Sequence, residues 1–157
     1  MDKYRRIVND LINKKFTKLK GKGIVLTHFK WQIKNASAAV TYFGPFLWIV
    51  IFPKSKNYSV SSLKALLAHE LSHGEIIAKM SFFGLIRFAF GWLFTKKGKV
   101  KFETSAEKYV IRKGLGKELL ELTRVVEKGK TKEELRKRSR SGYLSSKQIQ
   151  KYLKKKK

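Results

Sequence analysis

A chain of 157 residues with 37 lysines and arginines against 11 aspartates and glutamates carries a formal net charge of +26, a field that draws in nucleic acid, anionic lipid or acidic protein. The lack of cysteine excludes any thiolate metal site, and a charged, polar N-terminus is not expected to be a cleavable secretion signal. At this length the size prior gives one domain with room for a real core.

Residues 1–20 place Ile7, Leu11, Ile12, Phe16 and Leu19 at helical spacing with basic residues between, which predicts a helix. Residues 24–33 alternate in character, and 38–43 and 46–52 are short runs rich in β-branched and aromatic residues, parted by Gly44-Pro45; three strands are expected. From Ser59 onward, serines suited to an N-cap precede Leu63, Leu66, Leu67 and Leu71 on one apolar helical face. Residues 80–94 are apolar except for Arg87 and are expected in the core or as a cleft wall, with a membrane-surface contact or a dimer patch as the other readings. They fall short of the roughly twenty residues a spanning helix needs, and the uncharged stretch 36–52 is broken by Gly44-Pro45, so no membrane span is expected. A further helical pattern opens at Lys101 and closes near Gly114. Helices then follow at 117–128, 131–138 and 145–154, the last two headed by capping boxes, Thr131 to Glu134 and Ser145 to Gln148. The fold class is α+β. A domain over residues 1–138 is followed by a basic helical segment over 139–157, joined by a flexible Ser-Arg-Ser-Gly hinge at 139–142.

His69-Glu70-Leu71-Ser72-His73 is the stretch whose spacing matches a specific chemistry. Two histidines four apart on a helix share a face, so both imidazoles reach one metal ion. The glutamate after the first histidine stands beside that ion, where its carboxylate can take a proton from a metal-bound water. The chain has only three histidines, and two of them fall in this pattern. A hydrolytic zinc site needs a third protein ligand. His28 lies in a strand-like segment and suits a half-exposed strand residue better. Glu103 and Glu107, four apart on one face of the next helical pattern, are the better source, although Thr104 to Glu107 also reads as a capping box.

These motifs resemble the gluzincin metallopeptidases, in which a helix bearing His-Glu-x-x-His is joined by a glutamate from a later helix, and at this chain length they are similar to the minimal archaeal members, the minigluzincins. The resemblance implies zinc held by His69, His73 and Glu103, with Glu70 as general base. It makes Glu107, one methylene longer than the usual aspartate, the acid that hydrogen-bonds His69. It implies a sheet edge beside the cleft for an extended peptide or protein substrate, for which Leu47, Trp48, Ile49 and Val50 are the candidates. It also implies a latent enzyme whose C-terminal segment restrains the cleft. Tyr42, Tyr109 and Tyr143 are each chemically suited to stabilise the oxyanion, and spacing favours none of them.

The function expected is therefore that of a zinc-dependent metalloendopeptidase. The alternative is a basic nucleic-acid-binding protein with a structural or vestigial zinc site, or a protease acting on DNA-bound proteins. Lysine outnumbers arginine, which suits nonspecific phosphate attraction better than base reading. A cytoplasmic location is expected, with nonspecific nucleic acid or an anionic membrane surface as the partners that the charge would attract.

Overall fold

The computed structural model describes residues 2–31, 37–43 and 46–155. Within them run helix α1 (Asp2–Lys14), strands β1 (Gly23–His28), β2 (Ala38–Phe43) and β3 (Phe46–Ile51), and helices α2 (Val60–Ala78), α3 (Phe82–Phe94), α4 (Lys96–Arg112), α5 (Gly116–Glu127), α6 (Lys132–Arg140) and α7 (Ser146–Lys154). This is the expected α+β architecture, a small sheet on a helical layer with a helical C-terminus. The expected first strand stops early, at His28; the last residues assigned to it and the Gly44-Pro45 break lie outside the described residues.

α2 forms the centre of the molecule. Ser59 caps it as expected, its hydroxyl accepting the Ser62 N–H at 3.0 Å. Every residue from Ser62 to Glu75 except Lys64 is buried, so α2 is a helix covered on all sides rather than one with a single apolar stripe. Around it pack Val8, Leu11 and Ile12 of α1, Leu47, Ile49 and Ile51 of β3, Val110 and Ile111 of α4, and Leu119 and Leu122 of α5, all in one core. The alternation of a strand follows: Leu47, Ile49 and Ile51 are fully buried, whereas Phe46 and Trp48 stand exposed on the far face.

Strand order overturns the expected substrate edge. The sheet runs β1-β3-β2, with β1 parallel and β2 antiparallel to β3. Leu47, Trp48, Ile49 and Val50 thus lie on the middle strand, paired with Ile24 to Thr27 on one side and with Tyr42 to Ala39 on the other. So apolar a strand is better flanked on both sides than left with a bare edge. The edges belong to β1 and β2.

Three other expectations change. α4 opens at Lys96, where the Thr95 hydroxyl accepts the Gly98 N–H at 2.9 Å, several residues before Lys101. Thr104 to Glu107 is consequently helix interior and no capping box; Thr104 Oγ1 donates instead to the Gly142 carbonyl at 2.7 Å. Residues 80–94, expected in the core, form α3, none of whose described side chains is buried. The stretch 139–142, expected as a flexible hinge, completes α6 and turns through a buried Gly142, after which Leu144 and Ile149 enter the core. The capping boxes at Thr131 and Ser145 both form. Among the described residues no helix is long and apolar enough to cross a membrane.

One ion cluster fixes α2 against its neighbours. The Glu75 carboxylate, 1% exposed, has Lys113 Nζ at 3.1 Å and Lys79 Nζ at 3.6 Å. Lys113 also donates to the Lys15 carbonyl, so a single cation joins α2, the end of α4 and the end of α1. Removing one partner of a buried pair strands the other charge. Lys113→Met is therefore expected to lower stability by about 3 kcal/mol in urea unfolding while leaving metal content unchanged; an unmoved midpoint would show that Lys79 alone compensates Glu75.

Candidate metal centre

The helical repeat and one helix crossing assemble the site. Residues 69 and 73 stand on consecutive turns of α2, and α4 crosses α2 so that Glu103 reaches both. The distances are 3.1 Å between His69 Nε2 and His73 Nε2, 3.2 Å from His69 Nε2 to Glu103 Oε2, and 3.5 Å from His73 Nε2 to the same oxygen. A tetrahedral zinc ion with bonds of about 2.0–2.1 Å has ligand atoms about 3.3 Å apart. The three donors thus already form one face of such a tetrahedron. Two imidazole nitrogens and a carboxylate oxygen also form a donor set of the kind zinc takes in hydrolytic sites, where the fourth position stays open. His69 and His73 are buried and Glu103 is partly so.

Packing holds the imidazoles in place. The two rings meet edge to face with centroids 4.6 Å apart, the His73 ring lies on Phe102 at 4.2 Å, and the His69 ring stacks on Tyr143 at 5.9 Å. Charge is as specific as shape. Burial alone would pull His69 down, but its hydrogen bond to Glu103 and the carboxylates of Glu70, Glu103 and Glu107 push it up to about 9. Burial would raise Glu103; the hydrogen bonds and charges of the two histidines overcome this and hold it well below the usual carboxylate range. The centre therefore favours positive charge at the point where the three donors converge.

Glu70 is buried and lines a cleft of about 510 Å³ that opens between the start of β2, α2, α5 and α6, with Ser37, Ala38, His69, Glu107 and Tyr143 also in its wall. Burial pushes its carboxyl up, against the opposing pull of His69 and His73, which makes it a better proton acceptor than an exposed glutamate. Glu107 is also buried and raised by burial. Among the described hydrogen bonds it accepts the Leu144 N–H, with Arg138 Nη2 at 3.6 Å from its other oxygen. It acts on His69 through charge rather than as the expected direct hydrogen-bond partner.

Of the three tyrosines, the structure brings Tyr143 to the centre. Burial, with Glu103 and Glu70 nearby, pushes its hydroxyl far up, so it remains a phenol able to donate. Tyr109 is engaged elsewhere, accepting from Lys79 Nζ at 2.5 Å, and the Tyr42 side chain lies outside the described residues. His28 is exposed on β1 against the Tyr4 ring, away from the centre. Two residues that sequence reasoning missed set Tyr143 in place. Gly142 has φ +96°, and a Cβ there would come within 2.4 Å of the Val100 carbonyl oxygen, so only glycine lets this turn lie on α4. The Arg138 guanidinium sits over the Tyr143 ring at 4.5 Å while facing Glu107, one cation serving both. The glycine was visible in the sequence, but its contact with Val100 was not.

Purified protein is expected to carry close to one zinc per chain, and His73→Ala or Glu103→Ala to lose it on dialysis. Glu107→Gln removes charge without removing a ligand and should weaken zinc by about ten- to a hundredfold in a chelator competition titration. Metal analysis finding wild type and His73→Ala equally zinc-free would reject the centre. Compared with protein-family models, with curated proteins and with solved structures, the chain finds no match in any of the three.

Proposed function

We propose that the protein is a zinc-dependent metalloendopeptidase in which His69, His73 and Glu103 hold the ion and Glu70 is the general base. The observation that carries this reading is the triangle of donors with edges of 3.1, 3.2 and 3.5 Å beside a buried, cleft-lining carboxylate that is not one of the three. A structural site closes its coordination with four protein ligands, and three leave a position for chemistry. A zinc ion held there would supply Lewis acidity, polarising a peptide carbonyl and lowering the pKa of a water. Glu70 accepts that water's proton and returns it to the departing amine. Tyr143, a phenol beside the donors, hydrogen-bonds the oxyanion as it develops. An extended substrate pairs with the edge of β2, whose first residue, Ala38, stands in the cleft wall, and main-chain pairing of this kind tolerates many sequences.

Glu70→Gln preserves size and hydrogen bonding while removing the base. Zinc content should stay at the wild-type level while hydrolysis of an unfolded protein substrate falls by several orders of magnitude. Tyr143→Phe should likewise keep zinc and lower kcat by about a hundredfold, with KM little changed. Cleavage by Glu70→Gln at the wild-type rate, or no cleavage by zinc-loaded wild type, would overturn the proposal.

A further inference from the structure

Helix α3 joins α2 and α4, which carry the candidate metal donors; it is the most apolar helix of the chain, yet none of its described side chains belongs to the core cluster. Its exposed apolar residues, Leu85 aside, share one face. Phe83, Ile86, Phe90 and Phe94 are 81%, 42%, 63% and 75% exposed, and their spacing of three, four and four places them on one stripe along the helix. A helix of a water-soluble domain turns such a stripe inward; here it faces out. The Phe90 and Phe94 rings pack on each other, with centroids 5.6 Å apart.

Cations accompany this stripe in the sequence. Arg87 lies within it, and Lys96, Lys97 and Lys101 follow at the start of α4, all exposed. At 1.5 Å per residue, α3 is about 20 Å long, well short of the roughly 30 Å of a bilayer's hydrocarbon, so it can lie in a membrane interface but not cross it. We propose that this face of α3 docks on an anionic lipid surface. Phe83, Ile86, Phe90 and Phe94 enter the acyl boundary, and Arg87, Lys96, Lys97 and Lys101 meet lipid phosphates. Charge decides between the possible occupants. A second copy packed two-fold on this face would bring the same cations against each other, and a nucleic-acid duplex would neutralise them but offer no apolar surface to three phenylalanines and an isoleucine. An acidic bilayer answers both features.

The test is cosedimentation of the full chain with vesicles of phosphatidylcholine alone or with about one-third phosphatidylglycerol. The full chain should bind the anionic vesicles and not the neutral ones. Phe90→Ser/Phe94→Ser should bind at least about tenfold more weakly while keeping wild-type circular dichroism and zinc content. Lys96→Gln/Lys97→Gln should also bind more weakly, with a shallower dependence on salt. The proposal fails if the double phenylalanine variant binds like wild type, since charge alone would then explain the binding. It fails equally if the wild type ignores anionic vesicles, if it sizes as a dimer that the phenylalanine changes split, or if duplex DNA strips wild type and variant from vesicles alike.

Discussion

Everything at the centre of this molecule depends on the crossing of α2 and α4, which presses a carboxylate against two imidazoles inside a domain whose surface is overwhelmingly cationic. The chain has 11 acidic residues, and several of the glutamates lie in or against the core: Glu70, Glu75 and Glu107 are buried and Glu103 partly so. Each is compensated in its own way. Glu75 has Lys113 and Lys79, Glu107 has Arg138 and a backbone N–H, and Glu103 has the two histidines. Stranding any of these charges in the interior is expensive, so the pairs act with apolar packing in setting how α1, α4, α6 and the turn after α6 sit around α2.

A negative interior inside a positive shell also accounts for the electrostatics of the donor triangle. Against the downward pull of burial, the hydrogen bond to Glu103 and the charges of Glu70, Glu103 and Glu107 lift His69 to about 9, so the surroundings of the triangle favour positive charge. Glu70 differs from Glu75 and Glu107 in having, among the described residues, no lysine or arginine partner; like Glu103 it is offset by His69 and His73. A buried carboxylate without a dedicated lysine or arginine, next to three convergent donors, is the feature on which the proposed proton-transfer role rests.

The parts of the fold legible in the sequence are those set by neighbouring residues. The Ser59 cap, the capping boxes at Thr131 and Ser145, and the pairing of His69 with His73 follow from side chains within four positions of one another, and all of them form. The start of α4 was hidden because Lys96-Lys97-Gly98-Lys99 carries no apolar period, and its cap, Thr95, sits directly behind an aromatic helix. Strand order was hidden for another reason: whether Leu47 to Val50 forms an edge depends on how two other strands fold back, which no local pattern encodes. α3 misled in the opposite sense. Its composition fits burial, and only the tertiary arrangement reveals that its apolar stripe faces outward. The donor triangle was legible in identity but not in shape, since Glu103 comes from a helix whose crossing angle is a property of the whole core.

The turn at Gly142 bears on the order in which the molecule is made. Glu103 and both histidines are translated well before Arg138, Tyr143 and Leu144, and Ile149, which packs in the core with Leu144, comes later still. At about 5–20 residues per second, the nascent chain passes several seconds with its three donors synthesised, Glu107 lacking both of its partners and His69 uncovered by Tyr143. The residues that cover the donor triangle are thus synthesised last, after the three donors themselves.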